Sequence, residues 1–359
     1  MSDSATITTL LTGAVESLVA ERHTPAAAGV ALREAGEVVV TAGHRTRPRA
    51  GHPQPAAVGP GTRFALGSIT KTFTTLLLAE MAVRGEVSYD DPIQAHLPPE
   101  AVSRHGPPIT LAHLATHGAG LPRLPPGFHR RALRDRRDPY ARYDAEDLGR
   151  ATARLRPHRT PPPVSYSTFG IGLLGHLLSR AARKPYADLL AERILTPLGM
   201  RDTSIPTDDV LARDAAHGHR RGRPVPHWHF DVMAPAGALY STGADMLRYL
   251  RAQVRPDATP APLAVAITAT QRPRRACPRG SNSVGLGWNI RDLRGHTLAW
   301  HSGGTGGFTA FVGFSPDAEA GVAVLANATP TFRRPVIHAA GRLFGKVCRR
   351  RGRPGGAFS

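Results

Sequence analysis

Lysine is nearly missing from this chain. Of 46 basic residues only Lys71, Lys184 and Lys346 are lysine, and the other 43 are arginine. Cysteine is as scarce, with only Cys277 and Cys348. Two cysteines build no disulfide framework and no metal-binding spacing, so both are expected to be free thiols. No apolar run is long enough to span a bilayer. The opening Met1-Ser2-Asp3-Ser4 carries no basic run and no twin arginine, and Glu16 falls within the amphipathic stretch from Ile7 to Ala20. No export signal is read there, and a cytoplasmic location is expected. Acidic residues number 27, which leaves a formal charge of +19. Such a surplus suggests a nucleic-acid or anionic-surface partner. However, arginine, alanine, glycine and proline are raised together, and the arginines are spread along the chain. They crowd only from Arg130 to Arg142 and from Arg349 to Arg353, with no interleaved aromatics. Nucleic acid is therefore not an expected partner.

At 359 residues, 41% hydrophobic and 20% charged, the chain has the make-up of a globular protein with ample core. It is organised around Phe64-Ala65-Leu66-Gly67-Ser68-Ile69-Thr70-Lys71 and the apolar run that follows to Arg84. This predicts a short strand, a glycine break and a long buried helix. Ser68 and Lys71, three apart, fall on one face of that helix. A hydroxyl and an amine side by side at a helix N-terminus can make a nucleophile, since the first-turn N–H groups favour developing negative charge. The pattern alone is weak, because serine is a common N-cap and a first-turn lysine is usually a solvated charge. The scarcity of lysine sharpens it. Arginine cannot give up its proton in a protein, whereas a desolvated lysine can.

Along the chain, an opening helix is expected over Thr6 to Arg22. A hairpin follows, Gly29 to Arg33 and Glu37 to Thr41, turning at Ala35-Gly36. Arg45 to Gly61 reads as a Pro/Gly-rich loop. Ile109 to His117 looks helical and stops at Gly118-Ala119-Gly120. The Arg/Pro-rich stretch from Pro122 to Pro163 reads as a rim, a lid or a loose surface insertion, with one helix near Ala145 to Leu155. Helices are expected over Phe169 to Ala182, Tyr186 to Leu195 and Asp245 to Val254. Strands are expected over Val284 to Arg291, Thr297 to His301, Phe308 to Phe314 and Gly321 to Ala328, with a closing helix over Pro335 to Val347. Strands at both ends predict an α+β fold: one antiparallel sheet flanked by terminal helices, with a helical domain inserted. The expected division is a discontinuous sheet domain of 1–85 and 284–348, a mainly helical insertion of 86–283, and a disordered basic tail of 349–359.

Two further elements can complete a site. Tyr166-Ser167-Thr168 stands at a helix entrance, and a phenol near a lysine can act as base or proton shuttle. His301-Ser302-Gly303-Gly304 opens a glycine-dense loop at a strand end, where the N–H groups of Gly304 and Ser68 can form an oxyanion hole. Two histidine pairs raise a metal. His113 and His117 lack the glutamate of the zinc helix motif, and His227 and His229 beside Asp231 have no further support, so no metal is expected.

In this order the motifs resemble the β-lactamase-related serine hydrolases: class C β-lactamases, D-alanyl-D-alanine carboxypeptidases, and esterases and acyltransferases on the same scaffold. Ser68-Ile69-Thr70-Lys71 is similar to the family's first motif and Tyr166-Ser167-Thr168 to its Tyr-x-Asn. His301-Ser302-Gly303 is similar to its Lys-Thr-Gly, in a His-x-Gly form. Asp90-Asp91-Pro92, Ile109 to Leu121 and Pro235 to Gly243 also look like family landmarks. The resemblance implies an acyl-enzyme on Ser68, with Lys71 and Tyr166 sharing the proton work. It implies substrate contacts from Gly304, His301, Ser302, Gly303 and Thr168, a small-molecule acyl substrate and no cofactor. Thr168 in place of asparagine, and His301 in place of a fixed cation, favour esterase-like chemistry over β-lactam hydrolysis. A β-lactamase or carboxypeptidase, and a catalytically silent sensor of acyl ligands, are the alternatives.

Overall fold

The computed structural model describes residues 3–21, 23–34, 36–46, 55–97, 108–155, 162–278, 282–293, 295–332 and 335–348. The expected basic tail at 349–359, residues 47–54 of the Pro/Gly-rich loop and residues 156–161 of the Arg/Pro-rich stretch lie outside them.

Helix α1 (Asp3–Ala20) leads into strands β1 (Ala26–Arg33) and β2 (Gly36–Gly43), then β3 (Phe64–Ala65) and α2 (Thr70–Val83). Five helices follow: α3 (Leu111–Ala115), α4 (Phe128–Ala132), α5 (Ala145–Ala153), α6 (Thr168–Ala182) and α7 (Tyr186–Leu190). A π-helical turn over Ala191–Leu195 continues α7. Next come α8 (Asp208–Asp214), β4 (Gly218–Arg220), β5 (Arg223–Val225), β6 (Tyr240–Ser241), α9 (Gly243–Val254) and α10 (Ala261–Thr270). The chain closes through β7 (Arg275–Ala276), β8 (Asn282–Val284), β9 (Asn289–Leu293), β10 (His296–Gly304), β11 (Thr309–Ser315), β12 (Ala320–Ala326) and α11 (Pro335–Val347).

Among the described residues, β2-β1-β12-β11-β10-β9-β8-β7 form one antiparallel sheet. The chain's two ends meet in it where Ala27 pairs with Ala326 and Leu32 with Gly321. Side chains of β1 alternate between two cores, as the two-residue period of a strand dictates. Ala27 and Ala31 face a cluster of Ile7, Leu11 and Val15 from α1 and Val336 and Leu343 from α11. Ala26, Ala28, Val30 and Leu32 face the larger core, which holds Phe73 and Leu77 of α2 and Tyr249 of α9. The expected α+β architecture, with terminal helices flanking the sheet, is what the chain adopts.

The elements cross the expected line between sheet and insertion. Helix α9, inside 86–283, packs on β1 and β12, and β7, also inside it, extends the sheet. The amphipathic pattern of α9 marks it as a helix, but not which surface takes its apolar face.

Two other expectations change. The strand expected over Val284 to Arg291 is interrupted at residues 285–288, between β8 and β9. There Thr75 of α2 donates its hydroxyl to the Leu286 carbonyl at 2.9 Å, and Gly287 adopts a φ of +76° against the helix. The glycine-dense segment after His301 is strand through Gly304, paired with Thr309 of β11. Glycine lets this strand run against the turn that carries Ser68. A Cβ on Gly303 would lie 1.9 Å from the Leu66 carbonyl oxygen.

The stretch after Pro122 is no loose insertion over its described part. Tyr140 stacks on Phe230 at 4.6 Å, and Phe128 packs on Tyr140 at 4.7 Å. The Trp228 indole donates to the Arg137 carbonyl at 2.9 Å.

Gly303→Ala is expected to destabilise the fold by about 1–3 kcal/mol, because backbone, unlike a side-chain tip, cannot swing aside. Gly13→Ala on α1, where a Cβ meets nothing within 4 Å, is expected to stabilise by about 0.5–1 kcal/mol. Urea unfolding of both variants checks the pair. A Gly303→Ala protein as stable as the parent would remove the close approach from the account.

Candidate active site

The nucleophile turn is set by three local features. Strand β3 pairs with β6, Phe64 opposite Ser241 and Ala65 opposite Tyr240, which fixes the entry of the chain. Gly67 then takes a φ of +52°, a left-handed conformation that an L side chain rarely adopts. Residues 67–69 form one 3-10 turn that runs directly into α2. Ser68 is half-buried on this turn, and Lys71 lies one turn on with no exposed surface.

The two meet as their spacing predicts. Lys71 Nζ donates to Ser68 Oγ at 3.0 Å and to the Ala236 carbonyl at 2.6 Å. Burial drives the pKa of Lys71 down from its ordinary value, and Arg123 adds to the shift. The Tyr166 phenol opposes it. Its ring centroid lies 5.2 Å from the amine.

Tyr166 stands in extended chain just before α6. Ser167 caps that helix, its hydroxyl accepting from Gly170 N at 2.9 Å and donating to the Pro122 carbonyl at 2.7 Å. His117 braces the same segment. Its Nδ1 accepts from Ser167 N at 3.2 Å, its carbonyl from Ser165 N at 2.9 Å, and its ring lies 4.8 Å from that of Tyr166. His117 holds a φ of +55°, unusual for a residue with a Cβ. Strand β10 delivers His301 from the opposite side, 6.2 Å from the Tyr166 ring.

Ser68, Tyr166, His301, Ser302, Gly303 and Gly304 line one cleft of about 460 Å³. Thr168 is not among its lining residues. It is buried at the start of α6, where its N–H donates to the Arg123 carbonyl at 2.9 Å. The cleft is also lined by Arg123, Asn289, Thr305, Thr309, Pro330 and Ile337, which the sequence reading did not single out. Arg123 lies two residues beyond the Ile109 to Leu121 segment singled out as a landmark. In so arginine-rich a chain its residue type carried no signal.

The histidine pairs serve other partners. His113 closes a capping box with Thr110. His227 bonds the Tyr240 hydroxyl at 2.7 Å, and His229 meets Asp138 at 2.5 Å and Asp208 at 2.9 Å rather than Asp231. Among the described residues no group of three or more acidic, histidine or cysteine side chains is placed to hold a metal ion. Both cysteines are free, and no described helix is long and apolar enough to cross a membrane.

The sequence model of the Beta-lactamase family matches residues 11–345. The chain is 29% identical over 287 residues to the D-alanyl-D-alanine-carboxypeptidase/endopeptidase AmpH of Escherichia coli K12, spanning 75% of this chain and 71% of that protein. It is 28% identical over 300 residues to a beta-lactamase of the same organism, covering 74% and 75% of the two chains. A beta-lactamase of Pseudomonas fluorescens is 26% identical over 299 residues, covering 74% and 79%.

Burial also sets the charge of the two site histidines. Desolvation first, and the Lys71 charge second, push the imidazoles of His117 and His301 from 6.5 down to about 3. Both are neutral at pH 7. Unfolding returns them to ordinary values, so below pH 6.5 the unfolded chain binds protons that the fold refuses. Their contribution to stability is complete above about pH 6.5 and is lost as pH falls towards 3, by about 2 kcal/mol per imidazole at pH 5. Urea unfolding at pH 7.5 and pH 5 is expected to show this loss, reduced by about 2 kcal/mol in His301→Gln. An equal loss in the variant would mean that His301 is not buried neutral.

Proposed function

The chain belongs to the β-lactamase family, and from that membership and the buried Ser68–Lys71 pair we propose that it is a serine acyl-transfer enzyme of the esterase-like kind. The observation that carries the reading is the 3.0 Å contact between the Ser68 hydroxyl and a Lys71 amine with no exposed surface. A desolvated amine is more readily neutral, and a neutral amine can take the serine's proton.

In the proposed reaction Ser68 Oγ attacks the carbonyl of a small ester, thioester or amide. Its proton passes to Lys71 or to Tyr166, whose ring centroid lies 5.2 Å from the Lys71 amine. The carbonyl oxygen becomes an oxyanion between the N–H groups of Ser68 and Gly304. Support for that pairing is the closeness of the two backbones: a Cβ on Gly67 would lie 2.7 Å from Gly304 N. The returned proton neutralises the leaving group, and water or another acceptor then releases the acyl group. Neutral His301, with Ser302 and Gly303, flanks the substrate. A cytoplasmic site of action belongs to the same proposal. The two free thiols, Cys277 and Cys348, suit a reducing compartment.

The names of the relatives favour a second reading, β-lactam hydrolysis or cleavage of D-alanyl peptides. Two residues weigh against it. Thr168 is buried where the family motif has a cleft-facing amide, and His301 is neutral where the motif has a fixed cation. Losing one charge-assisted contact costs roughly 1.5–3 kcal/mol, one to two decades in rate when felt in the transition state.

Ser68→Ala is expected to abolish turnover of p-nitrophenyl butyrate and acylation by a fluorophosphonate probe, read by intact-protein mass. Lys71→Arg keeps a charge but no removable proton, and is expected to lose at least about a hundredfold in kcat/KM. Near-parental activity of either variant counts against the mechanism. Compared on one preparation, the butyrate ester is expected to exceed a chromogenic cephalosporin in kcat/KM by at least about tenfold. The reverse order would return the protein to the β-lactam-hydrolysing class.

A further inference from the structure

The residues lining the cleft include one permanent cation, Arg123, and no carboxylate. A minority of the arginines among the described residues sit against an acidic partner. Arg131, Arg193, Arg248, Arg251 and Arg255 each meet an aspartate or glutamate. Arg123 meets none among the described residues, and its guanidinium lies 5.0 Å from the centroid of the Tyr166 ring.

Its backbone is held in place. The Arg123 carbonyl accepts from Thr168 N at 2.9 Å and from Phe169 N at 3.3 Å, which ties it to the first turn of α6. Tyr166 thus has a basic group at two places around its ring: the buried Lys71 amine at 5.2 Å, and at 5.0 Å the guanidinium of Arg123, which lines the cleft. A guanidinium that is flat, always charged, held against an aromatic ring and free of an acidic partner is prepared for a carboxylate, which it can bind through two parallel hydrogen bonds.

We propose that Arg123 is the specificity-determining residue of this site and that the preferred acyl donors carry a carboxylate. The inference rests on the reading of Ser68 as the acylated residue. The anion is then recognised from the loop before α6 and not from position 301, where the imidazole is neutral. The chain's formal charge of +19 favours approach of such a substrate at low salt.

The test compares p-nitrophenyl butyrate with the mono-p-nitrophenyl esters of succinic, glutaric and adipic acids, which set the carboxylate at increasing distances from the same reacting bond. The Ser68→Ala protein supplies the background rate. The parent protein is expected to prefer at least one of the anionic esters over butyrate by about tenfold or more in kcat/KM. Arg123→Gln is expected to remove that preference and Arg123→Glu to reverse it. Raising the salt concentration is expected to erode the preference in the parent alone. A parent without the preference overturns the inference, as does an Arg123→Gln protein that retains it. So does a variant that loses rate equally on neutral and anionic esters with a shifted pH profile, since Arg123 would then act only through Tyr166. Failure of the underlying reading looks different: no ester of either kind would be turned over in a Ser68-dependent way.

Discussion

The structure turns on the burial of one amine. Lys71 has no exposed surface, and its two hydrogen bonds go to a hydroxyl and a backbone carbonyl, not to a carboxylate. A charged ammonium in such a place is costly, and the cost is relieved when the group releases its proton. What would be a defect in an ordinary core is, in the proposed reaction, the condition for activating Ser68. It has to be enforced by surroundings that cannot relax, and α2 is held accordingly. Its threonines tie it in four directions. Thr72 accepts from the Tyr249 hydroxyl of α9 at 2.8 Å, Thr74 donates to Pro235 at 2.7 Å and meets the Tyr186 hydroxyl of α7 at 2.7 Å, and Thr75 donates to Leu286 at 2.9 Å. A helix buried on every side needs partners on every side, and these hydroxyls provide them without adding charge.

The second constraint is the closeness of two backbones. Strand β10 can lie against the Leu66–Ser68 turn only because Gly67 and Gly303 have no side chains in the gap. The antiparallel ladder to β11 holds the strand in register, and alternation along β10 turns His301 to the same face as Ala299, towards the main core. The sheet and the helices are therefore joined at the point where chemistry is proposed. A change in the strand is transmitted to the nucleophile through contact between main chains, with little room for side-chain adjustment.

These constraints explain what could be read in the sequence. Ser68 and Lys71 were legible because helical spacing brings them together and because lysine is so rare that its presence is informative. Tyr166 and His301 were legible through motif order, since their meeting depends on contacts between elements far apart in the chain. The run of glycine after His301 was misread as loop because local propensity favours a turn there; the ladder to β11 outweighs it. The break at residues 285–288 had no local signal beyond glycine, since it answers to Thr75 on a distant helix. His117 was singled out for a possible metal, while its work is to hold the segment bearing Tyr166. Arg123 was hidden by abundance: the composition that made Lys71 conspicuous made every arginine look generic.

The charges around the cleft divide by depth. The deep side holds Lys71, His117 and His301, and burial favours the uncharged form of all three. The outer side holds the exposed guanidinium of Arg123. A fixed cation at position 301 would need to be desolvated beside Lys71, where each positive charge raises the cost of the other. A cation at position 123 keeps its contact with water and acts on Lys71 only as a lesser influence than burial. An arginine is suited to that place because its charge survives at every working pH. A lysine is suited to the buried place because its charge does not. The replacement of a family cation by His301 and the presence of Arg123 in the cleft are in this sense one arrangement, in which the proposed proton acceptor and the proposed anion-recognising group are kept apart.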